Sequence, residues 1–130
     1  MIWNLFIDRT DDHQGLFGVI GTSGLVGNLG LEGGSVRGRN RVGGLVGEVD
    51  GSVTGSYSTG SVSGENYVGG VAGSVDGRVI GSYSTGAVKG EDYVGGVAGR
   101  VGLLGRVTDC AALNPSVTAT NGACGRIAGF

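Results

Sequence analysis

The chain has 130 residues, of which 31 are glycine, and its formal net charge is −2. Nine Lys and Arg residues against eleven Asp and Glu leave no basic surface of the kind that binds a nucleic-acid backbone. No apolar run reaches the ~18 residues of a membrane-spanning helix. We therefore expect neither nucleic-acid binding nor membrane insertion. Glycine does not recur at every third position as in collagen, and apolar residues return at fixed intervals, which disordered linkers do not show.

The start of the chain carries a short apolar segment followed by a polar cluster. Ile2–Arg9 lacks the basic start and long apolar run of a signal peptide, and we interpret it as the last strand of a preceding coil. Asp8, Asp11, Asp12 and His13 form the cluster. A metal or acid–base site is one interpretation. We favour a solvated loop between coils, because the glycine and terminal glutamate of an EF-hand loop are absent.

A regular repeat dominates the middle of the chain. Val42–Gly47 recurs as Val68–Gly73 and as Val94–Gly99, each time at a step of 26. Ser56–Gly60 recurs as Ser82–Gly86 with the same step. A fixed period of this length is the sequence signature of a solenoid, in which each unit buries its apolar face against its neighbours.

A less regular copy precedes this array. Gly15–Gly18 precedes Gly44–Gly47 at a step of 29. Asn28–Leu31 is then expected to take the place of Ser56–Thr59. Length changes between copies are expected near turns, where they cost least.

A second irregular copy follows the array. Val107 follows Val79 at a step of 28, and Gly125–Gly129 closes the series. Cys110 then replaces Ser82, and Cys124 replaces Val94. Because these two positions belong to different strands, we predict that both cysteines are thiols rather than a disulfide.

The composition of the repeat predicts strands. Val, Thr, Tyr and Gly dominate it, and the turn dipeptides Asp50-Gly51 and Asp76-Gly77 interrupt it. We therefore predict an all-β fold, a right-handed parallel β-helix or solenoid of about four coils with a ~26-residue repeat. Three columns of side chains are expected to point inward: Leu45/Val71/Val97, Val53/Val79/Val107 and Val36/Val62/Val88/Val117.

The predicted organisation has two parts. Residues 1–14 form the end of a preceding coil and a connecting loop. Residues 15–130 form the solenoid, which divides into the repeats 15–43, 44–69, 70–95 and 96–130.

These repeats resemble the GLUG-motif family, named for Gly-Leu-any-Gly. The motif stands as Gly15–Gly18 and Gly44–Gly47, with Val in place of Leu in Gly70–Gly73 and Gly96–Gly99. The resemblance implies a bacterial surface or secreted protein, because such repeats occur as accessory regions of adhesins and of peptidases that cleave immunoglobulin A. No His-Glu-any-any-His motif is present, so no peptidase activity is carried over to this chain.

Candidate contact residues follow from the repeat. Stacked tyrosines flanked by hydroxyls contact sugars in some proteins, and in others they only stabilise a sheet. The six side chains concerned are Tyr57, Tyr83, Ser56, Ser82, Thr59 and Thr85. Bound calcium is a further alternative where acidic residues stack, as Glu65 with Glu91 and Asp50 with Asp76, but their repulsion in water is only ~1 kcal/mol and requires no ion.

The sequence thus predicts a non-catalytic structural or adhesive segment of an exported bacterial surface protein, with no cofactor. The alternative is a carbohydrate-binding or carbohydrate-active β-helix module. Expected partners are other copies of the chain, flanking repeats of a longer protein, or a host or cell-surface glycan or protein. We expect an extracellular or cell-surface location, with the signal and anchor outside this chain, and end-to-end self-association.

Overall fold

A computed structural model of the protein describes residues 2–3, 6–8, 12–102, 105–108, 110–112, 114, 116–119 and 124–125. Across these residues every regular element is a β-strand. The same residues include no helix long and apolar enough to cross a membrane.

The strands follow one another along the chain in successive coils, most of which contain four or five strands. The first coil contains β1 (Ile2–Trp3), β2 (Phe6–Asp8), β3 (Phe17–Ile20) and β4 (Leu25–Gly27). The second contains β5 (Gly30–Glu32), β6 (Ser35–Arg37), β7 (Asn40–Gly43), β8 (Val46–Val49) and β9 (Ser52–Thr54). The third contains β10 (Tyr57–Ser58), β11 (Ser61–Ser63), β12 (Asn66–Gly69), β13 (Ala72–Val75) and β14 (Arg78–Ile80). The fourth contains β15 (Tyr83–Ser84), β16 (Val88–Gly90), β17 (Asp92–Gly95), β18 (Ala98–Val101) and β19 (Arg106–Thr108). A fifth begins with β20 (Ala111–Ala112), β21 (Val117–Ala119) and β22 (Cys124–Gly125).

The second, third and fourth coils each contribute one strand to each of five parallel sheets. In chain order these are sheet A (β1, β5, β10, β15, β20), sheet B (β2, β6, β11, β16, β21), sheet C (β7, β12, β17, β22), sheet D (β3, β8, β13, β18) and sheet E (β4, β9, β14, β19). In the first coil Gln14 takes the place of a sheet C strand, through a parallel bridge to Val42. The predicted parallel solenoid of about four coils is therefore confirmed.

The interior is divided into two apolar cores. The smaller lies between sheets B and C and contains six valines of the second to fourth coils: Val36, Val42, Val62, Val68, Val88 and Val94. The larger is lined by sheets A, D and E and by the corner residues Leu45, Val71 and Val97. All three predicted inward columns lie in these cores, with Val107 and Val117 partly buried. Valine suits such columns because its branched side chain packs well on a pleated surface.

Glycine separates the two cores. A Cβ added at Gly73 or Gly99 would overlap the backbone of sheet C in the preceding coil, at Arg41 and Val42 and at Tyr67 and Val68 respectively. A Cβ added at Gly47 would overlap the backbone of His13, which lies beside Gln14 in the first coil. These three glycines are the fourth residues of the Gly-Leu-any-Gly units. We call this contact the glycine seam. The motif thus ends in glycine because no side chain fits where sheet D crosses sheet C.

One predicted register was wrong. Tyr57 pairs with Gly30 and Ser58 pairs with Leu31, so Asn28 takes the place of Gly55 rather than of Ser56. Asn28 and Gly55 have φ angles of 53° and 55°. Asparagine tolerates this left-handed conformation better than other residues with a Cβ, so the match follows backbone conformation rather than side-chain polarity.

The other predicted registers agree with the strand pairs. Phe17 pairs with Val46, which aligns Gly15 with Gly44. Val79 pairs with Val107, and Val94 pairs with Cys124. The division into residues 1–14 and four repeats remains a prediction, although β1 and β2 pair in register with β5 and β6.

Candidate functional site

The two tyrosines singled out in the sequence stack along sheet A. The ring centroids of Tyr57 and Tyr83 lie 5.0 Å apart and the ring planes differ by 5°. The hydroxyl of Tyr57 donates a hydrogen bond to Oε1 of Glu32 at 2.8 Å. That bond raises the pKa of the Tyr57 phenol, with smaller contributions from burial and from the charge of Glu32.

The faces of the Tyr57 ring are covered. One face lies against Tyr83, and the ring also lies over Gly30, where an added Cβ would overlap ring carbons and the hydroxyl. Tyr83 keeps 39 % of its surface exposed. A sugar that stacks on an aromatic face has no such face at Tyr57, so this geometry supports a sheet-stabilising role.

The flanking serines lie inside the coil. Ser56 and Ser82 are 1 % and 2 % exposed. Their hydroxyls donate to the carbonyls two residues earlier, Thr54 O at 2.9 Å and Ile80 O at 3.2 Å. The hydroxyl of Ser82 also accepts the backbone N–H of Ser56 at 3.2 Å. These two predicted contact residues therefore belong to the interior and not to a surface, because their hydroxyls satisfy buried backbone groups.

Cys110 extends this serine column. Its thiol donates to Thr108 O at 3.2 Å, the same bond to the residue two positions earlier that Ser82 makes. The hydrogen bonding therefore agrees with the prediction that Cys110 occupies the position of Ser82 in its coil. The side chain of Cys124 lies outside the described residues, so the absence of a Cys110–Cys124 bond remains a prediction.

The two threonines are half-buried. The hydroxyl of Thr59 accepts the N–H of Gly33 at 2.7 Å and donates to Leu31 O at 3.3 Å. Gly33 has a φ of 67°, so Thr59 stabilises a left-handed turn in the preceding coil. Thr85 follows it one coil later, and its backbone N–H donates to Ser58 O.

The structure disperses the early polar cluster. Asp8 lies 4.0 Å from Nε of Arg37, and both side chains are exposed. Oδ1 of Asp12 accepts the N–H of Asn40 at 3.2 Å. Asp11 lies outside the described residues. The favoured interpretation of this segment as a loop between coils agrees with these separate contacts.

His13 points to a different carboxylate. Its Nε2 lies 3.1 Å from Oε2 of Glu48. Glu48, Asp50 and Asp76 bring carboxylate oxygens within 4.8 Å of one another, and all three residues are half-buried. Calcium prefers oxygen ligands, and among the described residues these three carboxylates lie close enough together to share an ion. However, the guanidinium of Arg100 lies 3.7 Å from Asp76 and already neutralises part of this charge.

Glu65 and Glu91, the other stacked acids, are exposed. Glu65 lies 3.8 Å from Nε of Arg39. In the adjoining column Nδ2 of Asn66 donates to Oδ1 of Asn40 at 3.0 Å. Amide and ion-pair contacts therefore hold this edge of sheet C, and no bound ion is needed to explain it.

A second aromatic column was missed by the sequence reasoning. Tyr67 and Tyr93 stack with centroids 5.3 Å apart, and the guanidinium carbons of Arg41 and Arg100 lie 5.7 and 5.9 Å from the Tyr67 centroid. Arg41, Tyr67 and Tyr93 share left-handed φ angles of 53° to 55°, as does His13 at 58°. The two tyrosines are separated by the same step as the rest of the repeat, and that spacing was a usable signal.

This left-handed column borders the glycine seam. His13, Arg41 and Tyr67 have positive φ angles, and their backbone lies against Gly47, Gly73 and Gly99 respectively. Such a conformation costs a residue with a Cβ roughly 1–2 kcal/mol. The close crossing of sheets C and D therefore sets the direction of these side chains, which lie half-buried beside Glu48 and Arg100.

Comparison with known proteins gives one finding. The family model of the GLUG motif matches residues 38–63. No curated protein and no solved structure gave a significant match. The matched segment spans one turn of the solenoid, from two residues before β7 to the end of β11. The third coil pairs with the second in register across all five sheets. The structure is therefore a stack of equivalent coils, and residues 38–63 of that stack match the GLUG motif.

Proposed function

We propose that this solenoid is a non-catalytic structural and adhesive segment of an exported bacterial surface protein, and that its copies associate end to end. The GLUG match and the stacked coils establish a structural repeat module. The adhesive role, the export and the association go beyond that module and are our proposal.

The observation that carries the proposal is the in-register stacking of equivalent strands. In sheets A, B, D and E, the strand at one edge of the described sheet belongs to the first coil. A strand at a sheet edge presents N–H and C=O groups that can pair with another chain. Repeated coils also build an extended, regular surface, which suits a spacer or a contact surface.

The non-catalytic part of the proposal rests on the acidic residues. Asp8, Glu48, Glu65 and Asp76 each lie within 4.0 Å of a His or Arg side chain. A glycosidase needs a pair of carboxyl groups on either side of one bond, about 5–10 Å apart and facing a groove. Among the described residues, the carboxylates of Glu48, Asp50 and Asp76 are the best candidates for such a pair.

Sedimentation velocity over a wide concentration range tests the association. We expect the weight-average mass to rise with concentration. A constant monomer mass at the highest soluble concentration would contradict self-association, without bearing on the fold.

Hydrolysis assays test the non-catalytic part separately. We expect no turnover of polysaccharide or protein substrates. Turnover that is lost in Glu48→Gln but retained in Glu91→Gln, a matched exposed acid, would show that the solenoid is an enzyme.

Antibody labelling of intact cells that produce the native protein tests the surface location, with a cytosolic protein as the unlabelled control.

A further inference from the structure

The left-handed positions beside the glycine seam carry large side chains. Among the described residues, five with a Cβ have a positive φ, and four of these belong to one column: His13, Arg41, Tyr67 and Tyr93. Other left-handed positions hold glycine, as at Gly55 and Gly81. Glycine adopts this conformation without strain, so the column keeps its side chains at a cost in stability. Strained residues of this kind concentrate at binding sites, where the side chain contacts a ligand.

Packing accounts for most of this column but leaves Arg41 without a counter-charge. Tyr67 stacks on Tyr93, and His13 lies 3.1 Å from Glu48. The guanidinium of Arg41 lies 5.7 Å from the Tyr67 ring, and within the described part of the chain no hydrogen bond or ion pair engages it. Its Nε is buried and lacks an acceptor there. Arg41 therefore carries a partly buried, unpaired positive charge.

The other described arginines are either paired or exposed. Three lie within 4.0 Å of a carboxylate, namely Arg37, Arg39 and Arg100. The other two are exposed to water, namely Arg78 and Arg106. A guanidinium that is partly removed from water attracts an anion more strongly than an exposed one, because water competes and screens less. Arg41 is thus the described cation best suited to bind an anionic group.

Hydrogen-bonding groups lie on the same surface as Arg41. The hydroxyl of Tyr67 makes no hydrogen bond to a described residue, whereas the hydroxyl of Tyr57 is occupied. Arg100 lies 5.9 Å from the Tyr67 ring and 3.7 Å from Asp76. A ligand held by Arg41 therefore meets a phenol hydroxyl, with a second guanidinium and a carboxylate beyond it.

The acids nearby limit the class of anion. Glu48, Asp50 and Asp76 bring three carboxylates together, and protein cations lie within 4.0 Å of only Glu48 and Asp76 among them. Such a cluster repels a polymer as densely charged as a nucleic acid. Carboxylate oxygens accept hydrogen bonds from hydroxyl groups. A glycan whose carboxylates are separated by uncharged sugars satisfies both conditions, because it presents one anionic group to Arg41 and hydroxyls to the acids.

We propose that Arg41 and the hydroxyl of Tyr67 bind an acidic glycan, with the carboxylate of one sugar against the guanidinium of Arg41. The inference deepens the adhesive part of the proposed function and rests on it, since it specifies what the solenoid adheres to. A guanidinium donates two parallel hydrogen bonds to a carboxylate. The Tyr67 hydroxyl both donates and accepts, which matches the hydroxyls of a sugar.

Isothermal titration calorimetry with hyaluronan oligosaccharides, in which carboxylates alternate with uncharged sugars, tests the site. Dextran is the neutral probe. We expect saturable binding of hyaluronan and no binding of dextran. Arg41→Gly should weaken hyaluronan binding at least ~10-fold, because charged hydrogen bonds are lost. Glycine suits the left-handed φ at this position, so the variant should keep its strands in far-UV circular dichroism.

Two further variants separate the site from net charge and from the fold. Arg39→Ala removes an exposed arginine two residues away and should bind hyaluronan as wild type does. Tyr67→Phe keeps the ring stack and should weaken binding by about 2- to 10-fold, since one neutral hydrogen bond is lost. Equal affinities of wild type and Arg41→Gly would overturn the site. An equal loss in Arg39→Ala would also overturn it, because net charge alone would then explain the binding.

Attachment of protein-coated beads to cultured cells distinguishes this inference from the adhesive role itself. We expect wild-type beads to attach, and enzymatic removal of acidic glycans from the cells to abolish attachment. Attachment that survives this removal, together with no hyaluronan binding in solution, would overturn the glycan site and leave the adhesive role intact. Failure of wild type in both measurements would refute the adhesive role as well.

Discussion

The glycine seam provides the sharpest test of the fold. In Gly73→Ala, the added methyl group would lie 2.6 Å from the Cα of Arg41 and closer still to the backbone atoms that follow it. Because ordinary contact begins at 3.4 Å, sheets C and D must separate by about 1 Å at a place where only backbone is available to move.

The magnitude follows from the nature of the contact. Overpacking a core costs about 1–3 kcal/mol, and the seam belongs at the upper end because no side chain can rotate away. We expect Gly73→Ala to lower the free energy of unfolding by about 3 kcal/mol, out of a typical 5–15 kcal/mol. The change would also disturb both apolar cores, since the seam separates them.

Urea denaturation followed by far-UV circular dichroism measures this change, at a protein concentration low enough to limit association. Gly21→Ala is the control, because nothing lies within 4 Å of a Cβ added there. We expect that control to alter stability by less than ~1 kcal/mol, with a slight gain from reduced unfolded-state entropy. If Gly73→Ala is as stable as Gly21→Ala, the steric explanation of the motif glycine is wrong.

Three further outcomes are expected. The raised pKa of Tyr57 means that its neutral form is favoured in the folded state, so this contribution is complete below the unfolded pKa of 10.0 and is lost as pH rises through the folded pKa. Tyr57→Phe should therefore reduce the loss of stability in alkaline solution, measured by thermal melts from pH 8 to 11, roughly the range around that pKa; an unchanged pH profile would argue against the Glu32 bond. Ser82→Ala should cost about 1–3 kcal/mol because the N–H of Ser56 loses its acceptor, and Ser82→Cys, which copies Cys110, should cost less; equal melting temperatures for the two would contradict the column. Asn28→Ala should cost about 1 kcal/mol and Asn28→Gly only a few tenths, because of the left-handed φ; the reverse order in denaturation midpoints would refute that explanation.

The columns of the cores were predictable because the same physical demand recurs in each coil. Val62 and Val88 fill one inward position, and the sequence repeats the residue as it repeats the position. The Asn28 register was not predictable from residue type, since asparagine resembles serine in polarity but replaces glycine in conformation. Backbone torsion decided that register, and a single sequence does not display torsion.

The surface around the second aromatic column was harder to predict for a different reason. Tyr67 lies in a strand, and its left-handed backbone lies against Gly99 of the next coil, a contact between coils that a single sequence does not display. Glu48 occupies a column that changes from Val19 to Ser74 to Arg100, so no repeated residue drew attention to it. The repeat displays the residues that the coils share, whereas this surface depends on residues that differ between coils.

The glycine seam has a consequence for how such a protein can change in length. Each seam contact joins sheet C of one coil to sheet D of the next, so removing half a coil would leave two coils without their partners. Removal or duplication of one whole repeat would instead restore an equivalent contact. The corner between sheets D and E accepts a change of length, since Gly21–Gly24 stands there in one coil and Asp50-Gly51 in the next, although Gly51 itself lies against the backbone of the preceding coil. Evolution of this architecture is therefore expected to proceed by whole coils, with new loops accepted at that corner.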